Sequence, residues 1–211
     1  MCRRGVVPKQ TFFNLPLEKQ NNLIQGAKKE FSSKPLNKAS ISNIIKNAGI
    51  PRGSFYQYFD NKEDAFYFLL EKQMKVDSEA FISMLKKNDG DLFDTFTETF
   101  QKMLKEFQVQ KNRDFFKNAF LNMDYNMENK ISHNFCEGNF SKQFLEIIAT
   151  IDKKQLNISN EQEVIHVIEI ILAVTLKNLI RNFARQNTFE ETVNNYMFEM
   201  NLLKKGLNKK E

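Results

Sequence analysis

The segment from Ser40 to Glu63 reads SISNIIKNAGIPRGSFYQYFDNKE and carries the strongest pattern in the chain. Apolar residues three and four apart predict a short helix, and Gly49 provides a turn where a left-handed backbone is expected. A second short helix, which we call the reader helix, is predicted at residues 52–58. Asp60 or Asn61 then caps a third helix. Two short helices in this order predict a helix-turn-helix, which places its second helix in the major groove of DNA.

Several groups on and around the reader helix can contact DNA. Arg52 can donate two hydrogen bonds to guanine, and Gln57 suits adenine. Gly53 lets the backbone approach DNA closely, while hydroxyl and amine groups suit phosphate. Phe55 and Phe59 are expected to anchor the helix in a small core. The predicted DNA-binding residues are Ser40, Arg52, Gly53, Ser54, Tyr56, Gln57, Tyr58 and Lys62.

The charge of the chain is unevenly distributed. Residues 1–62 contain 11 Lys or Arg and 3 Asp or Glu, whereas residues 63–211 contain 20 and 23. The basic excess of the first part indicates a polyanionic partner. The chain has no apolar run long enough to span a membrane and shows no signal peptide, and its two cysteines form no disulfide framework. We expect a cytoplasmic protein that does not insert into a membrane.

The rest of the sequence predicts an all-α protein of about nine helices. All four prolines precede Arg52, and helical periodicity continues to the end of the chain. We expect a flexible basic arm at residues 1–14, a helix-turn-helix domain at 15–61 and a second helical domain at 62–211. A first helix is predicted from Pro16 to about Pro35. After the reader helix, further helices are predicted at about 61–87, from Asp91 onward, and at about 111–124, 128–153, 160–186 and 189–207.

The predicted helix at 160–186 is apolar almost all round, so it must be covered on several sides. A second copy of the chain is one way to cover it, with the last two helices (about 160–207) forming a four-helix bundle across a two-fold axis. An intramolecular core is the alternative.

The pattern from Leu23 to Phe68 resembles the tetracycline-repressor (TetR/AcrR) family of bacterial transcriptional regulators. The resemblance implies a three-helix DNA-binding domain joined to a helical ligand-binding and dimerisation domain. It also implies a dimer through the last two helices and release from DNA when a small ligand binds. Tyr56 and Lys62 stand where the family typically contacts phosphate, whereas Pro51 replaces the usual Ser or Thr cap. The matching residues are Ala27, Phe31, Ala39-Ser40-Ile41, Ile44, Ala48-Gly49-Ile50, Gly53-Ser54-Phe55-Tyr56-Gln57-Tyr58-Phe59 and Lys62-Glu63.

The resemblance also implies a pocket in the second domain. Aromatic and methionine side chains there suit a small hydrophobic ligand, although such residues more often form plain core. The candidate pocket residues are Phe96, Phe100, Met103, Phe107, Phe116, Phe120 and Met123.

Two other classes of function stay open. One is a ligand-independent architectural or accessory DNA-binding protein, and the other is a helical small-molecule-binding protein or enzyme. No phosphate loop, nucleophile elbow or dinucleotide fingerprint is present, so we expect neither catalysis nor a cofactor. His133 and Cys136 are three residues apart, but two ligands are too few for a zinc site.

Overall fold

The structure is a computed structural model that describes residues 8–108, 110–123, 141–185 and 187–207. Within these ranges the regular elements are all helices, which confirms the all-α prediction. No helix in the described part of the chain is long and apolar enough to cross a membrane. In chain order the helices are α1 (Gln10–Phe13), α2 (Leu17–Ser33), α3 (Ile41–Ala48), α4 (Arg52–Tyr58), α5 (Lys62–Lys87), α6 (Leu92–Gln108), α7 (Gln110–Leu121), α8 (Ser141–Thr150), α9 (Glu161–Arg185) and α10 (Phe189–Leu207).

Most helix bounds agree with the sequence prediction to within a few residues. The reader helix is α4, and α5, α9 and α10 each begin and end within one residue of the expected positions. The predicted helix at 128–153 is observed at Ser141–Thr150, while residues 124–140, including His133 and Cys136, lie outside the described residues.

The prediction of a flexible arm at residues 1–14 is wrong for residues 10–13. Residues 10–13 form α1, and the Phe12 side chain is only 1% exposed. Its ring lies 5.7 Å from the ring of Phe59 and 5.2 Å from that of Phe68. Burial of this ring fixes a segment whose composition alone suggests mobility. Residues 1–7 lie outside the described residues.

The chain divides into two compact units. The first, unit 1, contains residues 8–76 and 110–123 of the described chain. Its core is aromatic, with the ring of Phe66 lying 5.1 Å from that of Phe31 and 5.6 Å from that of Phe115. Because α7 supplies Phe115, unit 1 is larger than the domain predicted at residues 15–61.

Two features fix the helices of unit 1 closely together. A Cβ atom built on Gly26 of α2 would lie 2.7 Å from the backbone nitrogen of Ala48 in α3, so only glycine permits this approach. In addition, the Asn118 side chain of α7 donates hydrogen bonds of 3.0 and 2.9 Å to the carbonyls of Phe31 and Ser32. These carbonyls belong to the last turn of α2, where helical partners are missing.

Unit 2 contains residues 77–108, 141–185 and 187–207. Its core includes a stacked pair, Phe100 of α6 and Tyr196 of α10, with ring centroids 3.9 Å apart. Tyr196 donates a hydrogen bond of 2.8 Å to Thr175 of α9, which itself donates to Ile171. Burial raises the pKa of Tyr196 well above its ordinary value and outweighs the hydrogen bond to Thr175. This side chain therefore joins α6, α9 and α10 as a neutral phenol.

A carboxylate at the α9–α10 contact is held by three side chains. Glu199 accepts hydrogen bonds from Asn178 (2.7 Å) and Lys177 (3.1 Å), and Arg181 lies 3.6 Å away. Burial alone would raise the pKa of Glu199, but these hydrogen bonds and positive charges together lower it. Glu199 thus links the two helices as an anion.

Large apolar side chains remain exposed on α9 and α10 of the single chain. Their exposed fractions range from 39% to 66%. The helix predicted to need cover on several sides is therefore not fully covered within one chain. These residues are Ile170, Leu172, Met197, Phe198 and Leu202.

Candidate DNA-binding site

The turn between α3 and α4 follows the chemistry expected from the sequence. Gly49 ends α3 with φ 66° and ψ 32°, in the left-handed region that favours glycine. Pro51 occupies the N-cap position of α4 with φ −63°. No side-chain cap bond forms there, but the fixed φ of proline suits the start of a helix. The helix-turn-helix geometry therefore arises from local backbone preferences.

Ser40 is the N-cap residue of α3, as predicted, but its hydroxyl makes no capping hydrogen bond. The carboxylate of Glu30 caps the helix instead. Its Oε1 atom accepts a hydrogen bond of 2.9 Å from the backbone N–H of Ser40 and one of 3.1 Å from the side-chain amide of Asn43. A negative charge at this end also complements the helix dipole. Because Glu30 uses the Ser40 N–H, only the Ser40 hydroxyl is left as a candidate phosphate ligand.

Four of the predicted contact residues lie on one exposed face of α4: Arg52, Gly53, Tyr56 and Gln57. Their spacing of one, four and five positions places them side by side on a helix. Tyr56 is 45% exposed, so its ring and hydroxyl are accessible from solvent. We call this strip of four residues the reading face.

The opposite side of α4 is anchored as predicted. Phe55 is fully buried and Phe59 is 3% exposed, with their ring centroids 5.6 Å apart. Ser54 and Tyr58 are half-buried at the borders of the reading face. The ring of Tyr58 lies 6.3 Å from that of Phe12. The reading face is therefore supported from behind by an aromatic cluster.

Lys62, predicted to contact phosphate, has protein partners in the structure. Its Nζ atom donates hydrogen bonds of 3.1 and 3.0 Å to the carbonyl oxygens of Asn37 and Ala39. These contacts tie the start of α5 to the segment that precedes α3. An ammonium group has three donors, so one remains for a phosphate.

The segment of residues 9–13, which we call the clamp segment, contacts the other end of α4. Lys9 donates from its Nζ atom to the carbonyl of Tyr56 (2.9 Å) and from its backbone N–H to that of Tyr58 (2.9 Å). The Thr11 hydroxyl donates to the carbonyl of Gln57. The composition of residues 1–14 predicts a flexible arm and does not indicate this role. The apolar pair Phe12-Phe13 is the feature of the sequence that points to a buried anchor.

The seven candidate pocket residues fall in different units. Three of the four on α6 are buried against aromatic partners in unit 2: Phe96 lies 4.9 Å from the ring of Phe81, Phe100 stacks on Tyr196, and Phe107 lies 5.2 Å from Phe183. Met103 of α6 is half-buried, as are Phe116, Phe120 and Met123 in unit 1. The rings of Phe116 and Phe120 stack at 5.9 Å. A pocket built from these residues stays a prediction.

Comparison with known families agrees with both parts of this architecture. Residues 23–66 match the model described as "Bacterial regulatory proteins, tetR family", and residues 91–207 match "Tetracyclin repressor-like, C-terminal domain". The second match alone covers more than half of the chain. The chain belongs to the tetracycline-repressor family. Membership accounts for the helix-turn-helix in unit 1 and for the helical region that follows it.

Curated relatives of the chain match it only in part. The HTH-type transcriptional repressor NemR of Escherichia coli is 30% identical over 67 residues, which are 32% of this chain and 34% of NemR. The uncharacterised HTH-type regulator YvdT of Bacillus subtilis is 45% identical over 56 residues, or 26% of each chain. The chain thus spans about a third or less of the length of these relatives.

Solved structures of two repressors match over almost the whole chain. NalD of Pseudomonas aeruginosa, the secondary repressor of the MexAB-OprM multidrug efflux pump, gives a TM-score of 0.64 at 19% identity, covering 92% of this chain and 98% of NalD. SmeT, the repressor of the Stenotrophomonas maltophilia pump SmeDEF, gives 0.61 at 14% identity, covering 91% and 93%. At these identities the comparison establishes the fold.

Proposed function

We propose that this member of the tetracycline-repressor family is a ligand-responsive transcriptional repressor that binds a palindromic operator as a homodimer. The reading face of α4 is the observation that carries the proposal. It presents an arginine, a glycine, a tyrosine and a glutamine to solvent on a helix whose other side is fully anchored. A short, supported helix with exposed donors at its N-terminal end has the form that major-groove recognition requires.

The residues of this site have distinct roles in the proposal. Arg52 and Gln57 donate to base edges, where each good bidentate contact contributes about 1–3 kcal/mol of discrimination. Gly53 admits the backbone close to the duplex. Packing within the protein does not require a glycine at this position, because an added Cβ would meet nothing within 4 Å. The remaining candidates, Ser40, Ser54, Tyr56, Tyr58 and Lys62, hold the sugar-phosphate backbone and fix the register. The basic excess of residues 1–62 supplies the non-specific attraction.

The exposed apolar residues of α9 and α10 support dimerisation through about residues 160–207. A second copy would bury side chains such as Phe198, which is 66% exposed in the single chain. A two-fold axis gives a self-complementary interface and two copies of the reader helix. Such a dimer reads half-sites centred roughly 34–36 Å apart, or multiples of that distance.

Ligand response is a shift between two populations of the dimer. A ligand that binds the DNA-free form more tightly lowers operator occupancy by its differential affinity. The aromatic and methionine character of the candidate pocket residues suits a small hydrophobic inducer. A regulator of this kind needs neither a catalytic group nor a cofactor, and its DNA target places its work in the cytoplasm.

The test begins with selection of duplexes from a random-sequence pool by the unmodified protein. Fluorescence anisotropy at about physiological salt then compares the selected duplex with a scrambled one. We expect a ratio of affinities of about a thousand or more. Equal affinity for both duplexes supports the architectural alternative. Failure to select any duplex contradicts DNA reading altogether and favours the small-molecule-binding or enzymatic alternative.

Two substitutions test the reading face directly. Arg52→Ala removes one base contact from each half-site, so the selected duplex should lose about 2–6 kcal/mol of binding free energy in total. Tyr56→Ala should also weaken binding without unfolding the dimer. Lys154→Ala is the matched charge control, because this exposed lysine lies in unit 2. Unchanged affinity in both reading-face variants would contradict the assignment of α4.

A further inference from the structure

The reader helix is too short to be stable alone. It contains seven residues, from Arg52 to Tyr58, whereas isolated helices shorter than about 12 residues are marginal in water. The last four carbonyls of any α-helix also lack partners within the helix. In α4 these carbonyls belong to residues 55–58, two of which are on the reading face. What satisfies them therefore influences how the reading face is held.

Each of the four carbonyls accepts a hydrogen bond in the structure. Phe55 accepts 3.0 Å from the backbone N–H of Phe59, which follows the helix directly. The other three hydrogen bonds come from the clamp segment: Lys9 donates to the carbonyls of Tyr56 and Tyr58, and Thr11 donates to that of Gln57. The Lys9 ammonium also places a positive charge at the negative end of the helix dipole. The clamp segment thus completes the C-terminal turn of α4.

The clamp segment is itself fixed by a buried anchor. Phe12 is 1% exposed and contacts the rings of Tyr58, Phe59 and Phe68 at 5.2 to 6.3 Å. The ion pair between Lys9 and Asp60, at 2.5 Å, is mostly exposed and adds little by itself. Because the Phe12 ring orders the segment, the donors of Lys9 and Thr11 are held in place before DNA binds.

We propose that the clamp segment is a positioning element for DNA reading, an inference that rests on the proposed function. It bonds the backbone of Tyr56 and Gln57 from behind, while the side chains of these residues face outward. A carbonyl and a side chain of the same residue move together when a helical turn frays. Loss of the clamp therefore lowers the fraction of protein whose reading face is in binding geometry, and apparent operator affinity falls with that fraction.

Thr11→Val is the sharpest test, because it removes one hydroxyl donor and leaves charge and shape almost unchanged. Affinity for the duplex selected by the unmodified protein should fall about tenfold in a dimer that loses this bond twice. Affinity for the scrambled duplex should change much less, because Thr11 bonds the carbonyl of Gln57, a proposed base-reading residue, whereas the carbonyls of the proposed phosphate ligands Tyr56 and Tyr58 keep their bonds to Lys9. Thr11→Ser restores the hydroxyl and should restore the affinity. Thr150→Val, which removes a hydroxyl that donates to Glu146 in unit 2, is the matched control.

Lys9→Gln distinguishes positioning from direct contact with DNA. If Lys9 positions α4, the salt dependence of binding should be unchanged while discrimination between the duplexes falls. If Lys9 contacts phosphate, affinity for both duplexes falls together and the slope of log K against log salt decreases by about 0.9 per contact. That outcome overturns the inference, as does a Thr11→Val variant that melts at a lower temperature but discriminates normally. Failure of the unmodified protein to select a duplex would instead overturn the proposed function and this inference with it.

Discussion

Gly26→Ala tests the tightest contact in unit 1, the crossing of α2 and α3. A Cβ atom on Gly26 would lie 2.7 Å from the backbone nitrogen of Ala48, 2.8 Å from its Cβ and 2.9 Å from the carbonyl oxygen of Ile44. Favourable contacts between heavy atoms are about 3.5–4.0 Å long, so the shortfall is roughly 0.8 Å. Two of the three atoms are helix backbone, and no rotamer change can relieve the overlap.

The cost follows from two opposing effects. Overpacking of this kind destabilises a core by about 1–3 kcal/mol, and a clash with backbone belongs at the upper end. Alanine in place of glycine favours a helix by about 1 kcal/mol at most. We therefore expect Gly26→Ala to lower the free energy of unfolding by about 2 kcal/mol. Separation of α2 from α3 also stretches the bond from Ser40 to Glu30, which adds to the loss.

The assay is urea denaturation followed by circular dichroism, together with hydrogen exchange of α2 and α3 amides. Hydrogen exchange assigns the loss to unit 1, because the two units need not unfold together. Gly206→Ala is the control: this exposed glycine lies in α10, and an added Cβ meets nothing within 4 Å. The control should be neutral or slightly stabilising. A Gly26→Ala protein as stable as the control would refute the reasoning from this contact.

Three further predictions concern single residues. Gly53→Ala should leave the free energy of unfolding equal or raise it by up to about 1 kcal/mol, yet weaken binding to the selected duplex at least about tenfold. Normal binding by this variant would mean that the α4 backbone does not approach DNA closely. Gly90→Ala should destabilise unit 2 by about 2–4 kcal/mol in urea titrations, because Gly90 has φ +81° and the new Cβ would lie 2.5 Å from the backbone nitrogen of Asp152. A loss of stability below about 1 kcal/mol would contradict the predicted strain. Because the fold lowers the pKa of Glu199, its carboxylate stabilises the protein above its ordinary pKa of 4.5, and this stability is lost as the pH falls below that value. The melting temperature of the parent should therefore drop more steeply between about pH 6 and pH 3 than that of Glu199→Gln. Equal slopes for the two proteins would show that this carboxylate does not contribute.

The helix-turn-helix could be predicted from the sequence because its determinants are local. Gly49 and Pro51 fix the backbone of the turn by their own conformational preferences. Phe55 and Phe59 could be assigned to the core because residues four apart share a helix face. Arg52 and Tyr56 are then left on the exposed side by the same periodicity. The order of elements and the membership of the reading face therefore need no tertiary information.

The residues that hold the reading face could not be predicted in the same way. Glu30 accepts a bond from Ser40, the N-cap residue of α3, which lies ten positions later, and the local pattern indicates only the Ser40 hydroxyl. Thr11 bonds a carbonyl 46 positions away, from a helix too short to show a period. Such contacts are created by the packing of distant segments. The feature of the sequence that could have indicated a role for Glu30 is its position as a charged residue on the apolar face of α2.

The candidate pocket shows the corresponding limit for apolar residues. Periodicity identifies the buried face of α6, and Phe96 and Phe100 are indeed buried. It does not indicate which helices cover that face. Phe116 and Phe120 on α7 follow closely in sequence, yet α7 belongs to unit 1 and α6 to unit 2. Neighbours in the sequence are therefore assigned to different cores.

The same placement of α7 bears on how the DNA-reading unit is made and how it can be transplanted. Phe115 and Ala119 are part of its core, and Asn118 closes the end of α2. During translation at about 5–20 residues per second, the core of unit 1 cannot form completely until α7 has left the ribosome. A chimera joined at residue 76 would leave the ring of Phe66 without its α7 neighbour. Grafting this DNA specificity onto another ligand-binding scaffold therefore requires two segments of the chain.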